Sequence, residues 1–451
     1  MIIKNGKIAL PGRNDLASLD IEIDQGKIVC IGENLQGPDC LDASGLQVFP
    51  GAIDPHVHFN EPGYTEREDF YHGSCAAASG GVTTVIDMPC TSVPPVTSLE
   101  NFRVKLNAVK DRSLIDFAFF GGVPGQAFDP GSSLPIAELA EFVPGFKTYF
   151  ISGMDSFRSL NPEQFTAVLT EAKKYRRPVL LHAEDPDIVT GLTRTQRAAG
   201  DDWIRYYRSR PELAEITAVR TAVAAARRTG AELHIVHIGS GTAALLLENE
   251  PGISGETAPH YLQFSCRDFE KLGASLKTAP VVKEEGEAAV LWDCLKNGIL
   301  DFAASDHAPA PAAQKYTGSV WTDYSGIPGS GTLFPYLYSE GLIKRQIPLA
   351  RFLKIVSENA ARRYGFWDRK GSIETGKDAD LVLIDPDKTW QIRGQEFLSK
   401  GKITPFENLV LQGRVSKTLV RGTVVYDVFR GIVERPGYGQ FLKPHFSGER
   451  A

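Results

Sequence analysis

The feature that most restricts how this chain can fold is a repeated alternation of short apolar runs with stretches of helical periodicity. In chain order the runs are "VFPGAIDPHVHF", "VTTVIDMP", "DFAFFGG", "PGFKTYF", "PVLLHAE", "ELHIVHIG", "ISGETAPHYL" and "LDFAASDHAP". Near-continuous apolar strands separated by helices are typical of a parallel sheet that is covered on both faces. Eight strands in βα alternation predict an α/β fold with a closed (β/α)8 TIM-like barrel, whose catalytic groups lie at the C-terminal strand ends.

Two of the intervening stretches carry clear helix signals. In "NPEQFTAVLTEAKKYRR", Asn161 suits the cap position and Pro162 suits the first turn. One apolar stripe runs along this helix and consists of Phe165, Val168, Leu169 and Ala172. The stretch "PELAEITAVRTAVAAARRTG" begins with Pro211 and stops at Gly230, as helices often do. We therefore expect both helices to connect neighbouring strands of the barrel.

The two ends of the chain carry a different pattern from the middle. "DIEIDQGKIVCIG" alternates apolar and polar residues on both sides of the turn-like "DQGK", which predicts a short hairpin. "DADLVLIDPD" and "KTLVRGTVVYD", near the C-terminus, are also strand-like. We therefore expect residues 1–50 and 370–451 to form one small β-rich domain, and residues 51–369 to form the barrel.

Composition and charge argue against several classes of function. The chain has 451 residues, 42% of them hydrophobic and 23% charged, which fits a globular protein with a large core. Its net charge of −6 gives no basic footprint, so a nucleic-acid partner is not expected. No run of about eighteen apolar residues predicts a membrane span, and no signal peptide is recognised. The six cysteines are scattered without a CxxC pair, which indicates reduced thiols and a cytoplasmic location.

Most of the apolar runs end in a polar residue that an apolar core would not select. These residues are His56, His58, Lys147, His182, His237 and Asp306. Such side chains are costly to bury without a partner. They recur at matching positions on separate strands, where a barrel collects its catalytic groups. In a strand His56 and His58 point to the same face, so the pair predicts half of a metal site.

Each of these residues has an ordinary structural explanation when it is considered alone. An HxH pair is common, and His182 in "LLHAED" could be a hydrogen-bonded core histidine. Asp306 in "SDHAP" could cap the following turn. His237 lies three residues after another histidine, so the two face opposite sides of a strand, and its C-terminal position favours His237 for the site. Three other histidines are expected at structural, helical or surface positions, namely His234, His72 and His445.

Lys147 is the least expected member of this set, because an ammonium group repels a divalent cation. It could form an ion pair with Asp306 or extend its amine towards solvent. The functional alternative is a desolvated amine with a lowered pKa that has reacted with carbon dioxide. The resulting carbamate has two oxygens and can bridge two metals. Four imidazoles, one aspartate and this N6-carboxylysine predict two divalent ions, for which zinc fits best and iron, manganese and cobalt are alternatives.

The order of the motifs resembles that of a known family. "DPHVHFNEPG", "PGFKTYF", "LLHAED", "IVHIGS", "APHYL" and "SDHAP" follow one another as in the cyclic amidohydrolases of the amidohydrolase superfamily. This group includes dihydroorotases, allantoinases, hydantoinases and dihydropyrimidinases. The resemblance extends from "GLQVFPGAIDPHVHF" to the tail "GYGQFLKPH". It implies a distorted barrel with a small β-sandwich domain built from both chain ends, and an enzyme that is a homotetramer or a homodimer.

The resemblance also implies a role for each polar residue. One metal would be held by His56, His58, carboxylated Lys147 and Asp306, and the other by Lys147, His182 and His237. A hydroxide between the metals would attack the ring carbonyl, and Asp306 would take its proton and deliver it to the leaving nitrogen. The implied reaction is the hydrolysis of a small cyclic amide or ureide, with no nucleic-acid or membrane partner.

The resemblance places the substrate contacts at a further set of residues, namely Asn60, Cys90, His260 and Ala279. The first motif of dihydroorotases is HxHxR, whose arginine binds the substrate carboxylate. This chain has Asn60 at the position of that arginine. Cys90, Ala279 and Ala310 replace further polar residues of that group, and Ser152 replaces a tyrosine of the dihydropyrimidinases. "HFNEPG", "PHYL" and "RGTVVYDVFRGIVERPGYGQFLKPH" most resemble allantoinases. We therefore expect a neutral, allantoin-like cyclic ureide as the substrate.

Three alternatives to this interpretation stay open. A dihydroorotase would follow if another cationic residue replaced the missing arginine, and "DFAFFGGVPG" resembles an L-hydantoinase. The alternative from a different class is a catalytically silent barrel subunit that keeps the fold for assembly. Loss of several metal ligands would favour such a subunit, and the sequence retains all of them.

Overall fold

The strands of the protein form two groups, one from the chain ends and one from the middle. A computed structural model describes residues 1–446. In chain order the strands are β1 (Ile2–Ile8), β2 (Ala17–Asp24), β3 (Lys27–Gly32), β4 (Cys40–Asp42), β5 (Gln47–Pro50), β6 (Ala52–Val57), β7 (Val82–Asp87), β8 (Asp116–Phe119), β9 (Gly121–Gly122), β10 (Phe146–Tyr149), β11 (Val179–His182), β12 (Leu233–Ile235), β13 (Ile253–Thr257), β14 (Phe302–Ala303), β15 (Leu381–Gln391), β16 (Val410–Val420), β17 (Thr423–Asp427) and β18 (Gly431–Ile432). Strands β6 to β14 form the barrel, and the others share one sheet, called here the terminal sheet.

The barrel strands run parallel to one another. β6, β7 and β8 are neighbours, and β9 to β14 follow one another in chain order. Phe120 alone separates β8 from β9, so these two strands occupy one position and the barrel has eight. The ring closes where the backbone N–H of His58 donates to the carbonyl of His307 at 2.8 Å. The predicted α/β fold with a TIM-like barrel is confirmed.

The apolar run "VFPGAIDPHVHF" contains two strands, although its composition suggests one. β5 pairs with β15 in the terminal sheet, whereas β6 pairs with β7 in the barrel. Gly51 separates them, and a Cβ at this residue would lie 2.2 Å from Oγ1 of Thr83. The chain therefore passes from the terminal sheet into the barrel without a loop, and His56 and His58 follow directly.

The terminal sheet combines strands from both chain ends. Its order is β18-β17-β16-β15-β5-β1-β2-β3, with β4 beside β1. The predicted hairpin is β2–β3, which turns at Gln25 and Gly26 with φ values of 47° and 79°, as a tight hairpin turn requires. This pairing of the two ends supports the division at residues 50 and 370, which stays a prediction. Residues 447–451 of the predicted domain lie outside the described part of the chain.

Helices connect the barrel strands and follow the last of them. In chain order they are α1 (Phe70–Ser79), α2 (Leu99–Val109), α3 (Ile136–Leu139), α4 (Pro162–Lys174), α5 (Pro186–Ala199), α6 (Trp203–Arg208), α7 (Glu212–Thr229), α8 (Gly241–Leu245), α9 (Pro259–Gln263), α10 (Phe269–Leu272), α11 (Glu287–Asn297), α12 (Ala312–Lys315), α13 (Leu333–Tyr336), α14 (Leu349–Leu353) and α15 (Asn359–Arg363). None of the helices in residues 1–446 has the length and apolar character that a membrane crossing requires.

The two helices expected from their terminal signals are α4 and α7. In α4 the side chain of Asn161 accepts a hydrogen bond from the backbone N–H of Gln164, and the predicted apolar stripe is buried. Each Phe, Val or Leu buried in this way contributes about 1.5–3 kcal/mol. α7 ends at Gly230, whose φ of 63° is the left-handed conformation common at a helix C-terminus. Both helices are present where the sequence predicts them.

A buried charge cluster joins the barrel to the terminal sheet. Nζ of Lys370 lies 2.5 Å from a carboxylate oxygen of Asp116, 2.9 Å from one of Asp378 and 2.6 Å from one of Asp380. Asp116 belongs to β8, whereas Asp378 and Asp380 directly precede β15. Arg421, which follows β16, also pairs with Asp116. Opposite charges in contact are the condition under which such groups can be buried at all.

Candidate metal centre

The six polar residues predicted from the strand ends come together at the C-terminal rim of the barrel. Two lie on or directly after β6, one lies on β10, one ends β11, and two follow β12 and β14: His56, His58, Lys147, His182, His237 and Asp306. Because parallel strands of a barrel end at one rim, the fold directs these side chains to a common point. Their roles as ligands remain a prediction at this stage.

His56, His58 and Asp306 form the tightest part of this cluster. Nε2 of His56 lies 3.2 Å from Oδ1 of Asp306, and Nε2 of His58 lies 3.3 Å from the same oxygen. One potential ligand atom from each residue lies within 4.8 Å of the other two. Two imidazoles and a carboxylate at this spacing match the donor set of a nitrogen- and oxygen-bound divalent ion.

His182, His237 and Lys147 lie beside these three residues. Nδ1 of His182 is 3.0 Å from Nε2 of His237, and the ring centres of His56 and His237 are 5.3 Å apart. Nζ of Lys147 is buried and has no hydrogen-bond partner among residues 1–446. A buried amine without a partner is energetically expensive. This atom therefore indicates a group that the polypeptide itself does not supply.

Two residues of the cluster have backbone conformations that side chains seldom adopt. His237 has a φ of 40° and Asp306 has a φ of 48°, both in the left-handed region. Such conformations cost about 1–3 kcal/mol each and are concentrated at functional sites. Next to His237, the N–H of Ile238 donates to the carbonyl of Glu256 at 2.8 Å, which holds this strained turn against β13.

Burial determines the protonation of most of the histidines. It lowers the pKa of His56 and His182, and it lowers that of His237 well below the usual value. These three rings are therefore neutral, which is the form that binds a metal. His58 differs, because burial would lower its pKa, but the hydrogen bonds and charges of Asp306 and Cys90 together outweigh burial and raise the pKa to about 9. A divalent ion bound at Nε2 of His58 would replace the proton on that nitrogen.

Lys147 and Asp306 are shifted towards the forms that a metal site needs. Burial lowers the pKa of Lys147 to about 8, so a fraction of this lysine is a neutral amine near neutral pH. The neutral amine is the nucleophile that reacts with carbon dioxide. Burial alone would raise the pKa of Asp306, but the neighbouring imidazoles of His56 and His58 hold it well below the usual value. Asp306 is therefore an anion.

Two buried carboxylates that the sequence analysis did not single out lie behind the histidines. Glu256, on β13, accepts a hydrogen bond from Nδ1 of His56. One oxygen of Glu184 lies 2.8 Å from Nε2 of His182. Carboxylates in this position fix the tautomer and the orientation of a metal-binding histidine. The available sequence signal was the spacing in "LLHAED", where Glu184 follows His182 by two residues, whereas Glu256 had none.

The cluster opens into a cavity of about 370 Å³, a size that suits a small ligand. All of the cluster residues except Lys147 line it. Cys90 and Ala279, which were expected to contact the substrate, lie on its wall. The wall also includes residues that sequence reasoning did not propose as substrate contacts, namely Arg67, Tyr149, Ser152, Arg210 and Tyr324.

Asn60 and His260, the other two expected substrate contacts, lie behind the cavity wall. Asn60 is fully buried with a φ of 59°, and its Nδ2 donates to the carbonyl of His58 at 2.9 Å. His260 is buried against Tyr261, with ring centres 4.1 Å apart, and its Nε2 has no hydrogen-bond partner within residues 1–446. In this structure Asn60 supports a backbone turn, which is the alternative that asparagine serves well.

Three further histidines lie outside the cluster, as expected. His234 is buried, lies 2.7 Å from Oγ of Ser254 and stacks on Phe302. His72 lies on α1, where Nδ1 is 2.9 Å from Asp69. The last one is on the surface, and it is His445. The strand alternation that separated His234 from His237 therefore predicts their different surroundings correctly.

The chain is similar to known proteins over nearly its whole length. A sequence profile described as "Amidohydrolase family" matches residues 47–425. The chain is 37% identical to an allantoinase of Rubrobacter xylanophilus over 460 residues, covering 100% of this chain and 99% of that protein. It is 34% identical to an allantoinase of Salmonella newport, with 99% of each chain covered.

Solved structures of related enzymes share the fold. The L-hydantoinase (dihydropyrimidinase) from Arthrobacter aurescens has a TM-score of 0.91 at 29% identity, covering 98% of this chain and 99% of that one. The dihydropyrimidinase from Brevibacillus agri NCHU1002 has a TM-score of 0.91 at 30% identity, with 99% of each chain covered. Both similarities therefore include the barrel and the terminal sheet together.

Proposed function

The chain belongs to the amidohydrolase family and is a metal-dependent hydrolase of cyclic amides, and we propose that it opens a cyclic ureide of the allantoin type. The observation that carries the proposal is the convergence of four histidines and Asp306 around one cavity, with the buried Lys147 on the strand next to that of His182. Identity of 37% over the full length to a protein named allantoinase supports this substrate over other rings.

The family implies a binuclear metal centre, and the donors of this chain fit one. In our proposal the first ion is held by His56, His58, Lys147 and Asp306, and the second by Lys147, His182 and His237. Zinc suits these nitrogen and oxygen donors best. The unpartnered Nζ of Lys147 supports N6-carboxylation, because a carbamate replaces a buried cation with two ligand oxygens. When bound, the two ions lower the pKa of a water towards neutrality and polarise the ring carbonyl.

The chain's own side chains perform the proton transfer and the positioning. Asp306 takes the proton of the attacking water on its carboxylate and passes it to the ring nitrogen as the C–N bond breaks. Glu256 and Glu184 keep His56 and His182 in fixed orientations. One water is consumed, a C–O bond forms, and the opened ring carries a carboxylate and a terminal amide nitrogen.

The proposal includes the setting in which the enzyme works. It acts on a small molecule in the cytoplasm as a homotetramer or homodimer, without a nucleic-acid or membrane partner. All six cysteines are free thiols, which supports a reducing compartment. Size-exclusion chromatography with light scattering measures the number of subunits, and a monomer at micromolar concentration would contradict the assembly.

A hydrolysis panel tests the substrate assignment. Metal-loaded protein is incubated with allantoin, hydantoin, dihydrouracil and dihydroorotate, and the appearance of the opened product is followed. We expect the highest kcat/KM for allantoin. A preference for dihydroorotate would replace the assignment, and no turnover of any ring by protein with two metals bound would favour the silent subunit.

Dihydroorotate is the second candidate because of Arg67. A substrate carboxylate needs a cation in a desolvated pocket, and an arginine fork is the best match. Asn60 supplies no charge, but Arg67 lies on the cavity wall and can serve instead. Hydantoinase activity is the third candidate, supported by the TM-score of 0.91 to an L-hydantoinase. The same panel separates all three.

A further inference from the structure

Arg67 is a cationic residue of the cavity wall that has no role in the metal centre. It lies in the loop between β6 and α1, shortly after His58. Its guanidinium carbon lies 4.7 Å from the ring centre of Tyr64 and 4.6 Å from that of Tyr324. Its Nε donates to Oε1 of Gln314 at 2.7 Å. Three side chains therefore hold the guanidinium in place at the edge of the cavity.

The charge of Arg67 is not balanced by a carboxylate of residues 1–446. Arg210, another arginine of the wall, pairs with Glu184. Within the described residues, no aspartate or glutamate forms an ion pair with Arg67, and its hydrogen bond to Gln314 uses only Nε. The two terminal nitrogens carry two N–H donors each. A half-buried guanidinium of this kind is most favourable when a ligand supplies an acceptor oxygen.

Tyr324 connects Arg67 with the metal centre. Burial raises the pKa of its phenol to about 12, while the nearby charge of Arg67 lowers it and that of Asp306 raises it. Tyr324, Arg67 and Asp306 all line the same cavity, and the ring of Tyr324 contacts the guanidinium there. Gln314 belongs to α12, in the segment that follows β14 and Asp306. A ring held at Asp306 would accordingly direct a group on its edge towards Arg67.

We propose that Arg67 selects the substituent outside the substrate ring by donating hydrogen bonds to an acceptor oxygen of that substituent. The inference rests on the proposed function and narrows it, because the natural substrate is then a cyclic ureide that carries an exocyclic carbonyl or carboxylate group. An unsubstituted or alkyl-substituted ring offers no such oxygen. A ureido carbonyl and a carboxylate share this chemistry, and the experiment separates them.

The test compares one ring with different substituents. Hydantoin, 5-ethylhydantoin, allantoin and hydantoin-5-acetic acid are assayed with metal-loaded wild type and with Arg67→Met, which removes the donors and the charge. For the two rings with an acceptor oxygen, kcat/KM should fall about 10- to 100-fold, as for the loss of a charge-assisted hydrogen bond, mainly through KM. For hydantoin and 5-ethylhydantoin it should change less than about twofold. If kcat/KM falls more for allantoin, the natural substituent is a ureido group. If it falls more for hydantoin-5-acetic acid, the natural substituent is a carboxylate.

Three further variants serve as controls. Arg67→Lys keeps the charge but loses the planar fork, so we expect an intermediate loss. Gln314→Leu removes the hydrogen bond that orients the guanidinium and should give a smaller loss with the same substrate dependence. Arg103→Met changes an exposed arginine on α2 and should leave all four substrates unaffected. Melting temperature and bound metal are measured for each variant, and where Arg67→Met binds no metal, the substrate ratios of Arg67→Lys decide.

The outcomes separate this inference from the proposed function. An Arg67→Met variant that loses the same factor on all four rings would show that Arg67 only holds its loop, which would overturn the inference. If the wild type is active and Arg67→Met keeps the same ratios of kcat/KM among the four rings, the inference is wrong while the proposed function stands. A wild type that opens none of the rings would overturn the proposed function and the inference with it.

Discussion

Replacement of Lys370 by methionine should destabilise the junction between the barrel and the terminal sheet. Its ammonium lies within 2.9 Å of three carboxylates and is 1% exposed. Asp116 keeps Arg421, and Asp378 keeps Arg369 and Lys27. Asp380, by contrast, has no other ion-pair partner within residues 1–446. Lys370→Met therefore leaves at least one buried carboxylate without a cation.

The size of the effect follows from this geometry. Removing one partner of a buried ion pair typically lowers the free energy of unfolding by about 3–5 kcal/mol, because the remaining charge stays desolvated. An unfolding entropy of about 2.1 cal/mol/K per residue, taken over 451 residues, converts 1 kcal/mol into about 1 °C of melting temperature. We therefore expect Lys370→Met to melt about 3–5 °C below wild type.

The pH dependence has a definite sign. Burial alone would raise the pKa of Asp116 and of Asp378, but Lys370 and the other cations beside them lower both, that of Asp378 to about 2. Carboxylates with lowered folded pKa stabilise the protein above their unfolded value of about 3.9 and lose this contribution as the pH falls. The pKa of Lys370 is raised by the same carboxylates, so its contribution persists up to about pH 10. Burial raises the pKa of Asp380 even beside Lys370, and loss of the ammonium would raise it further. Asp380 in the variant can therefore relieve its unpaired charge by taking up a proton, so the difference in melting temperature should be largest near about pH 9 and should shrink as the pH falls.

Thermal melting followed by circular dichroism measures this difference. Lys388→Met is the matched control, because Lys388 is an exposed lysine on β15 with the same side-chain change. The control should melt with wild type at every pH. Equal melting of Lys370→Met and Lys388→Met would refute the reasoning, and so would a difference that grows in acid, since protonated carboxylates no longer need the ammonium.

Three further predictions concern the metal centre. Lys147→Ala should lose bound metal and activity together, and a variant with two metals by elemental analysis would contradict the bridging role. Asp306→Asn should keep its melting temperature but lose about 10²–10⁴ in kcat, as expected for a general acid–base group, and near-normal turnover would exclude that role. Glu256→Gln should weaken metal binding or activity about 10- to 100-fold through a misoriented His56, which a chelator competition assay measures against wild type.

The parts of the fold that the sequence predicts correctly depend on neighbouring residues. The β2–β3 hairpin requires only a turn between Asp24 and Lys27, and α4 requires only its cap and one apolar stripe. The metal-centre candidates were also visible, because a barrel brings all strand ends to one rim once the alternation of strands and helices is recognised.

The parts that sequence reasoning missed depend on residues that are distant in the chain. Glu256 is separated from His56 by 200 residues, and Arg67 from Gln314 by 247. A glutamate in a strand or an arginine in a loop carries no local signal of its distant partner, because the two residues meet only when the barrel closes. The division of the first apolar run into β5 and β6 at Gly51 could not be predicted for a related reason. The run is apolar on both sides of Gly51, and only the strands with which β5 and β6 pair are different.

Position 60 shows that the arginine of the HxHxR motif can be absent from a chain that still has a cation at its cavity wall. Asn60 is fully buried in the left-handed region with a φ of 59°, where asparagine is far more common than arginine. A cationic side chain here would also be desolvated without a partner. The position that holds an arginine in HxHxR motifs therefore supports the turn of this loop. The same loop places Arg67 on the cavity wall. In our proposal this arginine, further along the loop, supplies the cation that position 60 lacks.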